Sequence, residues 1–296
     1  QAQAIEVWRG PASAVLGGNA LHGAINVISP VPQRTSLGIE VGNYDFARVN
    51  AAGGFTRGDH TVGASIVGTT TNGYRDSTGY GQQKASLAHL TEVSGWAVKN
   101  QFTATLLNQE TGAYVRGLEA YEDPDLRSSN PNPEAFRDAW SMRASSEWTK
   151  DQWTLKPYLR RSQMTFLQHF LPGQPLENND QTSGGLIVDY AIDAGATKAN
   201  VGGQVELMSG ALNEFQDGPT VGSAFLVATR PAGLHYDYEV DSYLVAGFYS
   251  LQHRLSDGLR VLHSLRLEYL DYDYTNNHIV GNTKDDGTPC GFGGCL

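Results

Sequence analysis

From residue 34 onward apolar and polar residues alternate with period two, the signature of strands that bury or shield one face only. Between Trp140 and Trp148 one face carries Trp140, Met142, Ala144, Ser146 and Trp148, and the other Ser141, Arg143, Ser145 and Glu147. The split recurs from Trp96, with Val98, Phe102, Ala104 and Leu106 against Lys99, Gln101, Thr103 and Thr105. It recurs again from Val261, with Leu265, Leu267 and Tyr269 against Ser264, Arg266 and Glu268. Asn100 and His263 interrupt the apolar faces of these two segments. The pattern predicts about eleven strands, near 34–42, 46–56, 61–71, 81–90, 96–108, 139–148, 153–166, 182–192, 197–208, 242–253 and 258–272. Many are ten residues or longer. Strands of soluble domains average about five or six residues, whereas strands tilted across an outer membrane need roughly nine to eleven.

The connections point the same way. Short turns are expected at 57–60, 91–95, 149–152, 193–196 and 254–257, alternating with loops at 72–80, 109–138, 167–181, 209–241 and the stretch after Tyr272. Short turns on one rim and long loops on the other are the asymmetry of outer-membrane barrels. Trp96, Trp148 and Trp153 fall beside short turns, where an interfacial aromatic girdle belongs. A soluble sugar-binding sandwich would carry shorter strands and no girdle.

Composition removes other classes. The chain has 296 residues, 34 of them Gly, and a formal net charge of -10, which disfavours a nucleic-acid surface. No apolar run approaches the roughly 18 to 20 residues of a membrane-spanning helix. No leader sequence opens the chain, and its first residues read like the middle of a domain, so an internal fragment is expected. Cys290 and Cys295 enclose four residues, three of them Gly, a spacing that lets them form a disulfide in an oxidising compartment. A metal site shared with His278 would lack ligands.

Residues 5–29 read IEVWRGPASAVLGGNALHGAINVIS. Ile5 and Val7 alternate around Glu6, Gly10-Pro11 breaks that strand, and Gly23 permits a return into a second one at 25–28. This segment resembles the end of the plug domain of TonB-dependent outer-membrane receptors. The match runs through Glu6, Arg9, Gly10, Pro11, Ser13, Gly17, Asn19, Ala20, Gly23, Ile25 and Asn26. Leu16 stands where the family carries an aromatic residue and His22 where it carries Gly. Alone, Arg9 reads as a solvated turn arginine. The resemblance implies instead that Glu6 and Arg9 are plug–barrel contacts, with Arg9 paired to acidic groups on the inner barrel wall.

The fold expected is all-β: a transmembrane antiparallel β-barrel, with about 11 of the family's 22 strands present, and the C-terminal part of a luminal plug. Residues 1–32 would be the end of the plug and 33–296 the N-terminal half of the barrel. The resemblance further implies active import across the bacterial outer membrane, ferric siderophores foremost. Cobalamin, a copper chelate or an oligosaccharide are alternatives within the class, and a passive porin outside it. Implied partners are the TonB complex, whose contact segment is expected to lie outside this chain, a bulky solute, and outer-membrane lipid with lipopolysaccharide.

Catalytic motifs are not found. There is no Gly-x-Ser-x-Gly elbow, no His-Glu-x-x-His, and no phosphate loop at Gly17-Gly18 or Gly202-Gly203. No enzyme activity, cofactor, resident metal or nucleic acid is expected. Asn130-Pro131-Asn132-Pro133-Glu134 reads as a loop tip. Ligand-contact candidates are the aromatic and histidine side chains placed in long loops: Tyr114, Tyr121, His169, Phe170, His235, Tyr236 and Tyr238. The loops at 109–138, 167–181 and 209–241 and the stretch 273–296 together carry 17 acidic and 5 basic residues, a net of -12, which leaves +2 for the rest of the chain. Such a mouth disfavours anionic cargo.

Overall fold

A computed structural model describes residues 3–9, 17, 20 and 22–278. Two sheets are present among them. The first is an antiparallel hairpin of β1 (Ala4–Arg9) and β2 (Gly23–Ile28). The second is an antiparallel meander of eleven strands, in which every strand pairs only with its neighbours in sequence. These are β3 (Ser36–Val41), β4 (Ala47–Arg57), β5 (His60–Thr71), β6 (Tyr80–Val93), β7 (Trp96–Glu110) and β8 (Phe136–Lys150). They continue with β9 (Trp153–Leu167), β10 (Leu176–Ala194), β11 (Thr197–Gln216), β12 (Gly233–Ser256) and β13 (Leu259–Asn276).

All eleven expected strands exist, and the five short turns shrink to the residue pairs 58–59, 94–95, 151–152, 195–196 and 257–258. Ser94 and Gly95 both have positive φ, the twist that joins strands through two residues without splaying them. Residues Trp96, Trp148 and Trp153 lie within three positions of these turns and share one rim. Trp153 packs on Tyr190 at 4.7 Å.

The expected ends of the longest strands are corrected. β10 begins at Leu176, β11 runs to Gln216 and β12 starts at Gly233, so the loops contract to 111–135, 168–175 and 217–232. The added segments, such as Asn178-Asn179-Asp180-Gln181, are polar on both faces and show no alternation. Backbone pairing with β9 and β11 makes them strands nonetheless. At about 3.3 Å per residue β12 is roughly 80 Å long. Only nine to eleven residues, roughly, are needed to cross a bilayer core.

The register sorts the side chains. Across the sheet, Ile39, Val49, Ile66, Leu87, Phe102, Met142, Leu159, Leu186, Val205, Val245 and Leu267 fall on one face. All eleven are large apolar groups left exposed. The opposite face carries the strand-borne ion pairs Glu40–Arg48, Glu147–Lys156 and Arg160–Glu206. There Arg266 donates to Glu268 at 2.7 Å and to Gln204 at 2.9 Å, and Tyr158 donates to Glu206. The chain leaving β2 crosses this polar face at Pro32, which packs on Gly54 and Gly63. These two glycines sit opposite each other on β4 and β5.

Candidate ligand-binding site in the long loops

The long connections on the rim away from the short turns are stitched into a continuous crown. Arg75 donates to the Ser129 carbonyl at 2.8 Å, and Asn130 Nδ2 donates to Ser77 O at 2.9 Å. These bonds join the 72–79 and 111–135 loops. Glu134 accepts from Gln174 at 2.7 Å, which ties in the 168–175 loop. The expected loop tip at Asn130–Glu134 is therefore a joint, because the Asn130 amide and Glu134 carboxylate face neighbouring loops rather than solvent alone.

The carboxyl of Glu134 is held below its ordinary range. Its own backbone N–H first, and then the amides of Gln174 and Asn132 and the charge of His169, favour the ionised form and outweigh the desolvation that opposes it.

In the 217–232 loop a helical turn, α2 (Ala224–Thr229), follows the N-cap Ser223, while α1 (Pro124–Ser128) sits in the 111–135 loop behind Asp123. Gln216, fully buried, donates to the Gly218 carbonyl at 2.7 Å and to Thr220 at 2.9 Å. Thr220 closes the loop by donating to the Arg230 carbonyl at 2.5 Å. Gly173 of the 168–175 loop packs on the Gln216 amide so closely that a Cβ there would come within 2.1 Å of Oε1.

The candidate residues fall into three groups. His169 and Phe170 lie together, ring centroids 5.8 Å apart, over the buried Phe166, which the Arg137 guanidinium covers at 4.5 Å. Thr111 reaches His169 Nδ1 at 3.4 Å. His235, Tyr236 and Tyr238 belong to β12 rather than to a loop. His235 is the extra residue where the β11–β12 register slips. Its Nδ1 lies 3.1 Å from Glu214 Oε1 and its Nε2 2.7 Å from the Pro231 carbonyl. Both nitrogens therefore face acceptors, and the side chain is buried. His235 is thus engaged by its own loop, and Arg230, 3.7 Å from the same carboxylate, completes that cluster.

Tyr238 packs against Tyr274, with ring centroids 5.2 Å apart and ring planes tilted by 40°. Burial raises its phenol above the ordinary range, helped by Tyr274 and by the negative charges of Glu177 and Glu214. The third group, Tyr114 and Tyr121, stands apart and largely exposed in the 111–135 loop, with Arg116 over the Tyr114 ring.

Arg137, Glu214, Gln216 and Gly173, which shape the crown, carry no periodic or motif signal in the sequence. The exposed Leu118, Val221 and Phe225 add apolar contact area that the sequence reading did not single out. In the hairpin, Glu6 accepts from Asn26 at 2.9 Å, and Arg9 is exposed at the end of β1. Among the described residues neither makes an ion pair with the eleven-stranded sheet. Cys290 and Cys295 lie outside the described residues.

The sequence matches no protein-family model and no curated protein. Solved structures do match. The unliganded ferric citrate transporter FecA aligns over 92% of this chain and 43% of its own, with a TM-score of 0.72 at 13% identity. The open form of the ferric-catecholate import receptor Fiu from E. coli K12 aligns over 98% of this chain and 53% of its own, with a TM-score of 0.66 at 16% identity. The outer-membrane ferripyoverdine receptor of Pseudomonas aeruginosa, bound to ferripyoverdine, covers 93% of this chain and 42% of its own, with a TM-score of 0.71 at 10% identity. The chain spans about half the length of the solved structures it matches. With its meander of long strands, one apolar face and a loop crown on one rim, it has the β-barrel fold of outer-membrane ferric-chelate receptors, over about half of such a receptor.

Proposed function

We propose that this chain is the plug end and the first part of the barrel of a TonB-dependent outer-membrane receptor that imports a ferric siderophore. One observation carries the reading: an exposed apolar band crosses eleven consecutive strands, with ion pairs confined to the other face. Soluble proteins rarely expose contiguous apolar patches beyond about 300 to 600 Å². A bilayer covers such a band, and a water-filled or plugged lumen solvates the charges. The apolar face is then lipid-facing, the polar face luminal, and the loop crown external.

The β1–β2 hairpin and the Pro32 crossing on the luminal face favour a plugged receptor over a passive porin. Residues 1–32 form the plug end and 33–296 the barrel part. Glu6 and Arg9 are its wall contacts, and the Tyr158, Arg160, Glu206 and Arg266 network offers them charge. The cargo meets His169, Phe170, Tyr236 and Tyr238, with Tyr114 and Tyr121 on the rim, while His235 positions the 217–232 loop. Lipopolysaccharide surrounds the external rim.

Acidic loops repel anions, so a neutral or cationic ferric hydroxamate is the expected cargo over a ferric catecholate. Binding of both chelates to the full-length receptor at low and high salt tests this. Tighter catecholate binding at low salt overturns the charge argument. Failure of a receptor-deleted strain to lose growth on any ferric siderophore overturns the import reading.

A further inference from the structure

On the lipid-facing side, just above the short-turn rim, five polar residues on four adjacent strands join into one hydrogen-bonded chain. Trp148 Nε1 lies 2.7 Å from Ser146 Oγ, which lies 2.6 Å from Asn100 Oδ1. Asn100 Nδ2 is 3.4 Å from His89 Nδ1, and His89 Nε2 is 3.0 Å from His60 Nδ1. The direction of this chain is fixed by chemistry. An indole N–H only donates, so Ser146 accepts from Trp148; an amide oxygen only accepts, so the Ser146 proton goes to Asn100.

The Asn100 amide nitrogen then donates to His89 Nδ1, which puts the His89 proton on Nε2, and that proton is donated to His60 Nδ1. His60 is left with its own proton on Nε2, at the outer end of the chain. The internal links satisfy polar groups that are costly against hydrocarbon. At the outer end they leave the His60 Nε2–H free to donate, on an exposed imidazole at the first position of β5.

Directly opposite His60 across the two-residue turn is Arg57, on the same face. Arg57 is exposed and makes no ion pair among the described residues, even with Asp59 in the turn. Beside the chain, away from the rim, lies an open trough of about 450 Å³. Leu87, Phe102, Ala144, Pro157 and Leu159 line it, with His89, Asn100 and Ser146 at its edge nearer the rim.

We propose that this surface holds one phospholipid of the inner leaflet of the membrane. Arg57 and His60 Nε2–H bind the phosphodiester, and an acyl chain lies in the trough. The proposal rests on the membrane reading above. A cation and an oriented N–H at the polar–apolar boundary complement an anion found at that depth, and the trough supplies the apolar half of the same ligand.

The test uses the full-length receptor in dodecyl maltoside micelles, titrated with spin-labelled phosphatidylglycerol or with spin-labelled diacylglycerol of the same chains. The motionally restricted fraction is read by electron paramagnetic resonance. Phosphatidylglycerol is expected to be restricted with higher affinity than diacylglycerol. Arg57→Leu with His60→Phe should lower that affinity about tenfold. Asn100→Leu, which interrupts the chain without touching the headgroup, should lower it by a smaller factor. Thr56→Ala, on the luminal face, should leave it unchanged, and circular dichroism confirms that each variant is folded.

Equal affinity for the two labels, or no loss in the Arg57/His60 variant, overturns the site while leaving the membrane reading intact. No restricted component for either label overturns the membrane reading itself. Release of the phospholipid by inorganic phosphate would show a simple anion site and overturn the lipid assignment.

Discussion

Gly63→Ala tests whether the chain leaving the hairpin is seated on the luminal wall. A Cβ at Gly63 would lie 2.5 Å from Pro32 O, 2.7 Å from Pro32 Cδ and 2.8 Å from Pro32 N, so its three closest contacts all belong to one residue of the crossing segment. A backbone carbonyl and a proline ring cannot rotate away, and the segment must lift. Overpacking of this kind costs about 1 to 3 kcal/mol. Because β5 stays paired whether the crossing is seated or lifted, the unfolded-chain gain of a Gly→Ala change does not offset this cost, which falls on the crossing alone. A cost of about 1 to 3 kcal/mol corresponds to a rise of about 5- to 150-fold in the detached population.

Arg34, two residues beyond Pro32, supplies a trypsin site, and cleavage there follows the open population when reclosing is fast. In the full-length receptor, Gly63→Ala should be cut at Arg34 faster by that factor. Gly68→Ala, on the same strand with nothing within 4 Å of its Cβ position, should be cut at the parent rate. Gly54→Ala is a poorer probe, because its Cβ would also meet the Val62 carbonyl of the wall itself at 2.3 Å. Parent-rate cleavage in a folded Gly63→Ala receptor would refute the seating.

The face assignment predicts that neighbouring residues on β10 respond oppositely. Leu186→Arg places a charge against hydrocarbon and should destabilise by about 2 to 4 kcal/mol, whereas Ile187→Arg, facing the lumen, should be tolerated; urea unfolding in vesicles measures both, and equal losses would contradict the register. The link between the 111–135 and 168–175 loops should weaken in acid. Because the folded carboxyl of Glu134 sits below its ordinary value of 4.5, its contribution is fully present above that value and is lost as pH falls through the lower folded value. Hydrogen exchange of residues 168–175 should therefore speed up below about pH 4.5 relative to neutrality, after correction for intrinsic rates, and Glu134→Gln should flatten that dependence.

The number of strands, their order and the rim on which the Trp girdle sits were legible in the sequence. A strand with lipid on one side and water on the other must alternate, and two-residue turns leave Gly or Asp signals between alternating runs. The same reasoning explains the misplaced ends of β10, β11 and β12. Where both faces of a strand meet water, alternation disappears, and only pairing with a neighbour decides whether Asn178 or Tyr236 is strand or loop.

His235 has the sequence appearance of a free loop ligand. A one-residue slip between β11 and β12 instead turns it onto Glu214, a residue 21 positions away. Asn100 is a single interruption of an apolar face when read along its own strand. Cross-strand register places it between His89 and Ser146, and so makes an interruption into the middle link of an oriented hydrogen-bonded chain. Period-two patterning is a property of one strand and its two solvents, and is therefore written in the sequence. Which polar residues meet across strands depends on register, which hydrogen bonds between distant segments set, and only the tertiary structure decides it.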